Sequence, residues 1–237
     1  MTPKGLIASA LLLLFCSASV DSFFFGPSTS GGRNWDVFVF VQNWPESVCD
    51  KWTNQRGGNT CNKYPKNHWT VHGAWPTQLG TRGPNDCDPS RKFNLAEVGG
   101  LERDLDEWWT PIQVNARKTY FWEHEWEKHG TCALPVIETQ YQYFKQALDW
   151  VRQYEMGEIF RTSGIVPGGD YSFNDITEAI RRVINKTPQV ICYYNRNKPS
   201  IILEVRICFS QSLQLVDCNN YSNCDRNKMI HYPTPSA

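Results

Sequence analysis

Hydrophobic and polar positions follow two rhythms along this chain, and the changes of rhythm mark out its elements. Trp35-Asp-Val-Phe-Val-Phe-Val-Gln42 is rich in β-branched and aromatic residues and stops at Asn43-Trp44-Pro45, which predicts a strand ended by a proline break. Thr70-Val71 predicts the end of another strand, one that delivers His72 to a cleft. Apolar residues then recur at helical spacing and predict helices over roughly 101–109, 117–129, 137–162 and 174–185. In the third of these, Tyr141, Phe144, Leu148 and Val151 form a core stripe. Strand patterns return at Gln189–Tyr194, Ile201–Phe209 and Gln214–Cys218, with a short one near Ile230–Tyr232. Helices gathered between groups of strands predict an α+β fold: a single domain with a central, mostly antiparallel sheet flanked by helices.

The first twenty residues do not belong to that pattern. Lys4 supplies a positive start, Gly5 to Phe15 is an apolar run, and Cys16-Ser-Ala-Ser-Val20 offers small residues for cleavage. This predicts a signal peptide over 1–20, cut at about 18–22, because the run is too short to span a bilayer. Residues 21–34, with Phe23-Phe24-Phe25 and a Gly/Ser-rich stretch, read as a loose leader into a catalytic domain over 35–237. The expected product is a secretory protein, exported or delivered to an acidic lysosome-like compartment, with no membrane attachment after cleavage.

Cysteine usage agrees with that route. Of nine cysteines, Cys16 falls in the signal segment, and the remaining eight imply four disulfides in an oxidising compartment. Spacing alone leaves about 105 pairings open. Asn185-Lys-Thr and Asn220-Tyr-Ser are sequons that could carry glycans in this compartment. A formal net charge of zero argues against tight nucleic-acid binding by bulk electrostatics, which an enzyme that must release its product does not need.

The candidate chemistry is concentrated in two segments. His68-Trp-Thr-Val-His72-Gly-Ala-Trp-Pro76 and Phe121-Trp-Glu-His-Glu-Trp-Glu-Lys-His-Gly-Thr-Cys132 together hold four of the five histidines. Histidine changes charge near neutral pH, so two clusters on separate segments point to a paired acid and base. A zinc-protease helix is excluded by spacing, since its histidines sit at i and i+4. Here His129 follows His124 by five, about 140° around a helix. The pairs that share a face are Glu125 with His129, Glu125 with Lys128, and His124 with Lys128. A carboxylate beside an imidazole, with an ammonium next to both, suits an anionic phosphate and needs no metal or other cofactor. Trp122 and Trp126 are spaced to anchor the opposite face in the core.

His72-Gly-Ala-Trp-Pro76 and the 121–132 segment closely resemble the two active-site segments of the ribonuclease T2 family. The second matches nearly residue for residue; the first usually reads His-Gly-Leu-Trp-Pro, so Ala74 departs from it in a way that bears on base preference or local packing. The resemblance extends to Trp44-Pro45 and the cysteine pattern. It implies the pairs Cys49–Cys61, Cys87–Cys132, Cys192–Cys224 and Cys208–Cys218. It also implies His129 as base, His72 as acid, Lys128 and Glu125 at the transition state and His124 at the phosphate. Trp75 looks like a base-stacking residue, the alternative being an aromatic that braces the His72 loop. His68 is a bystander.

The implied function is metal-independent cleavage of single-stranded RNA, with DNA inert, by a monomer. The 2′-hydroxyl attacks the adjacent phosphodiester and leaves a 2′,3′-cyclic phosphate. The alternative from another class is a secreted glycoprotein that acts mainly by binding, signalling or toxicity, with catalysis incidental.

Overall fold

The computed structural model describes residues 35–236 apart from 56–57, 66, 82, 115–116, 118, 196–199 and 220. The expected signal peptide, its expected cleavage point, the expected 21–34 leader and Asn220 of the second sequon lie outside the described residues.

Seven strands make one sheet around β5 (Ile201–Ser210). β1 (Val37–Asn43) pairs with β5 and with β2 (Thr70–Thr77); β4 (Gln189–Tyr193) and β6 (Leu215–Val216) also pair with β5. All these pairings are antiparallel. Among the described residues one parallel contact, Ile201 with His231, joins β5 to β7 (Ile230–His231), which pairs in turn with β3 (Asp170–Tyr171).

Strand alternation gives the sheet two chemically different faces. On one, Phe38, Phe40, Val205, Ile207, Phe209 and Val190 join the main core. α4 (Gln140–Gln153) packs there, with Trp150 stacked on Phe209 at 4.0 Å. On the other face Val37, Val39 and Val41 lie opposite Ser210, Cys208 and Arg206, and Asn43 lies opposite Glu204. The valines and Cys208 form a small separate cluster with Cys218, and Trp75 packs against it. This second face is the floor of the site.

The α+β class and the mostly antiparallel sheet agree with the sequence reading, while several local expectations need correction. Helix 137–162 is two helices, α4 and α5 (Met156–Thr162). The break falls at Glu155, whose carboxylate caps α5 by accepting from the N–H groups of Gly157 and Glu158 and also takes the Trp69 N–H at 2.9 Å. A tertiary hydrogen bond thus fixes an interruption that apolar periodicity does not register. Tyr141 is 42 % exposed, and the core stripe runs through Tyr143, Phe144, Ala147, Leu148 and Val151 instead. α1 (Pro45–Gln55) was not expected from the Trp-Pro break; its proline stands at the first helical position, where a missing N–H costs nothing. α2 (Glu102–Trp108) and α6 (Phe173–Ile184) fall within a residue or two of expectation. Only Leu215–Val216 of the 214–218 strand is extended and paired.

Candidate active site

His72 does not end a strand; it sits inside β2 at a bulge. Val41 pairs with Gly73 and Gln42 with Val71, so His72 is the extra residue. Counted back from Trp75, unbroken alternation would turn His72 into the core. The bulge turns it outward beside Trp75 and leaves Val71 and Ala74 fully buried on the opposite face. Trp109 Nε1–H donates to the His72 carbonyl at 3.0 Å and holds the bulged backbone. Ala74 therefore bears on core packing, since it belongs to the main core and does not line the cleft.

The second segment forms α3 (Tyr120–Lys128), with His129 just beyond its last turn. Trp122 and Trp126 are buried, and their indole N–H groups donate to the carbonyls of Trp109 and Arg91 at 2.8 and 2.9 Å. A Cβ on Gly130 would meet the Trp126 ring at 2.4 Å, so the chain can turn this closely beneath the tryptophan only at glycine. The Cys87–Cys132 bridge ties the end of this segment to the loop after β2. Cys49–Cys61, Cys192–Cys224 and Cys208–Cys218 are the other three bonded pairs.

Trp75 links the parts. Its indole N–H donates to Glu125 Oε2 at 2.9 Å, and its ring lies 5.0 Å from His72, edge-on, and 5.3 Å from His129. The guanidinium of Arg206 stands 5.4 Å over the same ring. Trp75 is thus engaged by the site's own side chains and half-buried, with part of its ring left open to the cleft. Tyr143 fastens the two segments from below, its hydroxyl 3.0 Å from the Ala74 carbonyl and 3.3 Å from that of Glu125.

The two imidazoles meet opposite electrostatics. His129 is buried, and its Nδ1 has no hydrogen-bond partner among the described residues. Burial, reinforced by Lys128 and then the other two histidines, pushes its pKa down to about 3, so it is neutral over most of the working range. His72 Nδ1 bonds to Glu204 Oε1 at 2.7 Å. Burial works against its protonation too, but the Glu204 carboxylate outweighs that and raises its pKa above the ordinary 6.5. Glu204 itself is buried, and Arg206 Nη2 pairs with its second oxygen at 2.7 Å. Burial opposes its ionisation, yet His72 and Arg206 hold its pKa down at about 2.

Glu125 is 2 % exposed, and burial lifts its pKa to about 7 against the pull of His72 and the Trp75 bond. The expected partnership of Glu125 with the His129 ring is corrected: its carboxylate bonds Trp75, and among the described residues the hydrogen bond between the two is a backbone one, His129 N–H to Glu125 C=O at 3.1 Å. Lys128 makes no ion pair among the described residues. His124 is exposed, its ring 6.4 Å from that of His129, and partial desolvation of that ring, followed by the Lys128 ammonium, lowers its pKa.

His72, Trp75, His124, Glu125, Lys128 and His129 all line one open cleft of about 760 Å³, with Arg206 on its floor. His68 lies outside it, stacked on Trp108 at 4.3 Å. His72 and Glu204 also border a second cavity of about 170 Å³, walled by Phe121, Pro111, Ile112 and Leu203. His72 therefore stands between two chambers.

Sequence reasoning missed Glu204, Arg206 and Tyr143. A signal for the first two exists: Leu-Glu-Val-Arg-Ile-Cys places two charges at i and i+2 in an otherwise apolar strand, on the face where a sheet core would not tolerate them.

A family model described as the ribonuclease T2 family matches residues 35–218. Extracellular ribonuclease LE of Solanum lycopersicum is 32% identical over 208 residues, 86% of this chain and 90% of that one. Ribonuclease Oy of Magallana gigas is 29% identical, covering 85% and 97%, and human ribonuclease T2 is 30% identical, covering 90% and 80%. Among solved structures, RNase NT in complex with 5′-AMP superposes with a TM-score of 0.75 at 26% identity, covering 86% of this chain and all of that one. Ribonuclease MC1 from bitter gourd seeds gives 0.73 at 30% identity, covering 84% and 100%. The family match spans the bulged β2, α3 and the Glu204–Arg206 strand alike, so the chain that builds this cleft belongs to the ribonuclease T2 family.

Proposed function

We propose that this endoribonuclease cleaves single-stranded RNA by transphosphorylation, with His129 as general base and His72 as general acid. His129 takes the 2′-hydroxyl proton and the oxygen attacks the neighbouring phosphorus. As the P–O5′ bond breaks, His72 gives its proton to the departing oxygen. The products are a 2′,3′-cyclic phosphate and a 5′-hydroxyl, with no metal in the scheme. The ammonium of Lys128 and the carboxyl of Glu125, neutral on the acid side of about 7, are placed to stabilise charge building on the phosphoryl oxygens. His124 lies where it can contact the phosphate. The chamber beyond His72 would hold the leaving nucleoside, and the cleft beside Trp75 and His129 the attacking ribose.

The observation that carries this reading is the division of labour around Trp75. One ring is kept neutral by burial and the other kept charged by a buried carboxylate, and both lie against the same indole. We further propose a monomer with the catalytic domain at 35–237, carried by the signal peptide into the secretory pathway and onward to the exterior or a lysosome-like compartment. Asn185 is exposed at the end of α6 and is the described sequon available to a glycan.

The pH profile tests the assignment. Activity needs His129 neutral, hence above about 3, and His72 protonated, hence below its raised value. The profile of kcat/KM is expected to be bell-shaped, with its basic limb above 6.5. Glu204→Gln removes the charge that holds the proton on His72, so the basic limb should move acidward by about 1–3 units while the acid limb stays. A rate climbing to pH 9, or a basic limb indifferent to Glu204→Gln, would contradict the pairing.

A further inference from the structure

Beside the second chamber lies an open groove of about 800 Å³ between α1 and the end of β4. Lys51 and Gln55 line both the chamber and the groove, so the two adjoin at these side chains. Lys51, Asn54 and Gln55 recur at i, i+3 and i+4 and thus share one face of α1. Across from them Tyr194 is 53 % exposed, with its hydroxyl donating to the Asn223 carbonyl. That bond fixes the hydroxyl edge of the ring while about half of the residue stays exposed to the groove.

The walls are braced on both sides. Cys49–Cys61 pins α1, and Cys192–Cys224 pins β4 two residues before Tyr194. Asp50, the nearest carboxylate on α1, is held by the side-chain amides of Asn54 and Asn195 at 2.9 and 3.0 Å. Lys51 has no ion-pair partner among the described residues. The Lys51 ammonium at the junction, the Gln55 amide on the same wall and an exposed aromatic ring opposite are the parts of a single-strand track: a phosphate site, an edge donor and a stacking platform.

We propose that this groove binds one further nucleotide of the RNA, on the 3′ side of the leaving nucleoside. The base stacks on Tyr194, and the phosphate joining it to the leaving nucleoside rests on Lys51. The proposal rests on the endoribonuclease reading for the direction of the strand. It assigns to the protein a footprint longer than the two nucleosides that flank the cut.

The test compares uncleavable oligonucleotides carrying a 2′-deoxyribose at the cut position: a dinucleoside monophosphate, and the same compound extended by one 3′ nucleotide. Titration calorimetry on the full mature chain should give at least about fivefold tighter binding for the longer ligand, the low end for one stacked base. Tyr194→Ala should erase that gain while leaving the dinucleotide Kd unchanged, and Tyr194→Trp should keep it. Lys51→Gln should lower the salt dependence of the longer ligand by about 0.7 in log–log slope. Equal affinity for the two ligands, or equal loss of both in Tyr194→Ala, would overturn the proposal. Turnover of the all-ribo dinucleotide is measured alongside. Its absence would sink the endoribonuclease reading, and the binding comparison would still decide whether the groove holds a nucleotide.

Discussion

His129→Ala is expected to lower kcat on single-stranded RNA by about 10²–10⁴-fold, and His72→Ala by a similar factor, because in the proposed mechanism each removes one proton transfer from the transition state. The two losses differ in kind, and the difference identifies the roles. His129 supplies the acid limb through a pKa of about 3, so that limb should vanish from the residual rate of His129→Ala. His72→Ala should remove the basic limb instead. A nucleoside 3′-phosphate ester with an aryl leaving group separates the two further, since a phenolate departs without being protonated. On that substrate His72→Ala should recover most of its activity and His129→Ala should not. Rescue of His129→Ala would reverse the assignment. Circular dichroism should show both variants folded: His72 is partly exposed, and the Glu204–Arg206 pair survives its loss.

Gly73→Ala should be nearly as damaging although it removes no catalytic group. A Cβ at this position would lie 2.1 Å from Trp75 Nε1 and 2.2 Å from Glu125 Oε2, inside the hydrogen bond that joins them. Neither side chain is free to yield. Trp75 lies against both His72 and His129, with Arg206 over its ring, and Glu125 is buried. Displacing the indole therefore moves His72, His129 and Glu125 together. A misplacement of about 1 Å is enough to cost about 10²-fold, and kcat/KM should fall by at least that much. The strain should also lower stability by about 1–3 kcal/mol, read as a drop in Tm. Activity within threefold of the parent would show that the Trp75–Glu125 contact is not what organises the site.

Much of this site is legible in the sequence because its chemistry is local. The 121–132 segment carries Glu125, Lys128 and His129 within one turn of helix, and spacing alone separates it from a zinc helix. The strands around Val37–Asn43 and Ile201–Ser210 announce themselves through β-branched residues. What the sequence hides depends on register or on distant partners. The bulge at His72 arises from how β2 lies against β1, and nothing in the string His-Gly-Ala-Trp-Pro records it. Glu204 acquires its meaning only when β5 aligns it with Asn43, within reach of a histidine 132 residues away. The break at Glu155 depends on a bond to Trp69, and Tyr143 took the place in the core that helical counting gave to Tyr141. In each case a contact distant in sequence decides between alternatives that look equal locally.

The most direct measurement is end-group analysis of a defined oligoribonucleotide cut by the purified mature protein in the presence of EDTA. The expected products carry a 2′,3′-cyclic phosphate on one fragment and a 5′-hydroxyl on the other, while the same oligomer with a 2′-deoxyribose at each cut position stays intact. Fragments with 5′-phosphate ends, or cleavage at the deoxy positions, would contradict a mechanism in which the substrate's own hydroxyl attacks between His129 and His72.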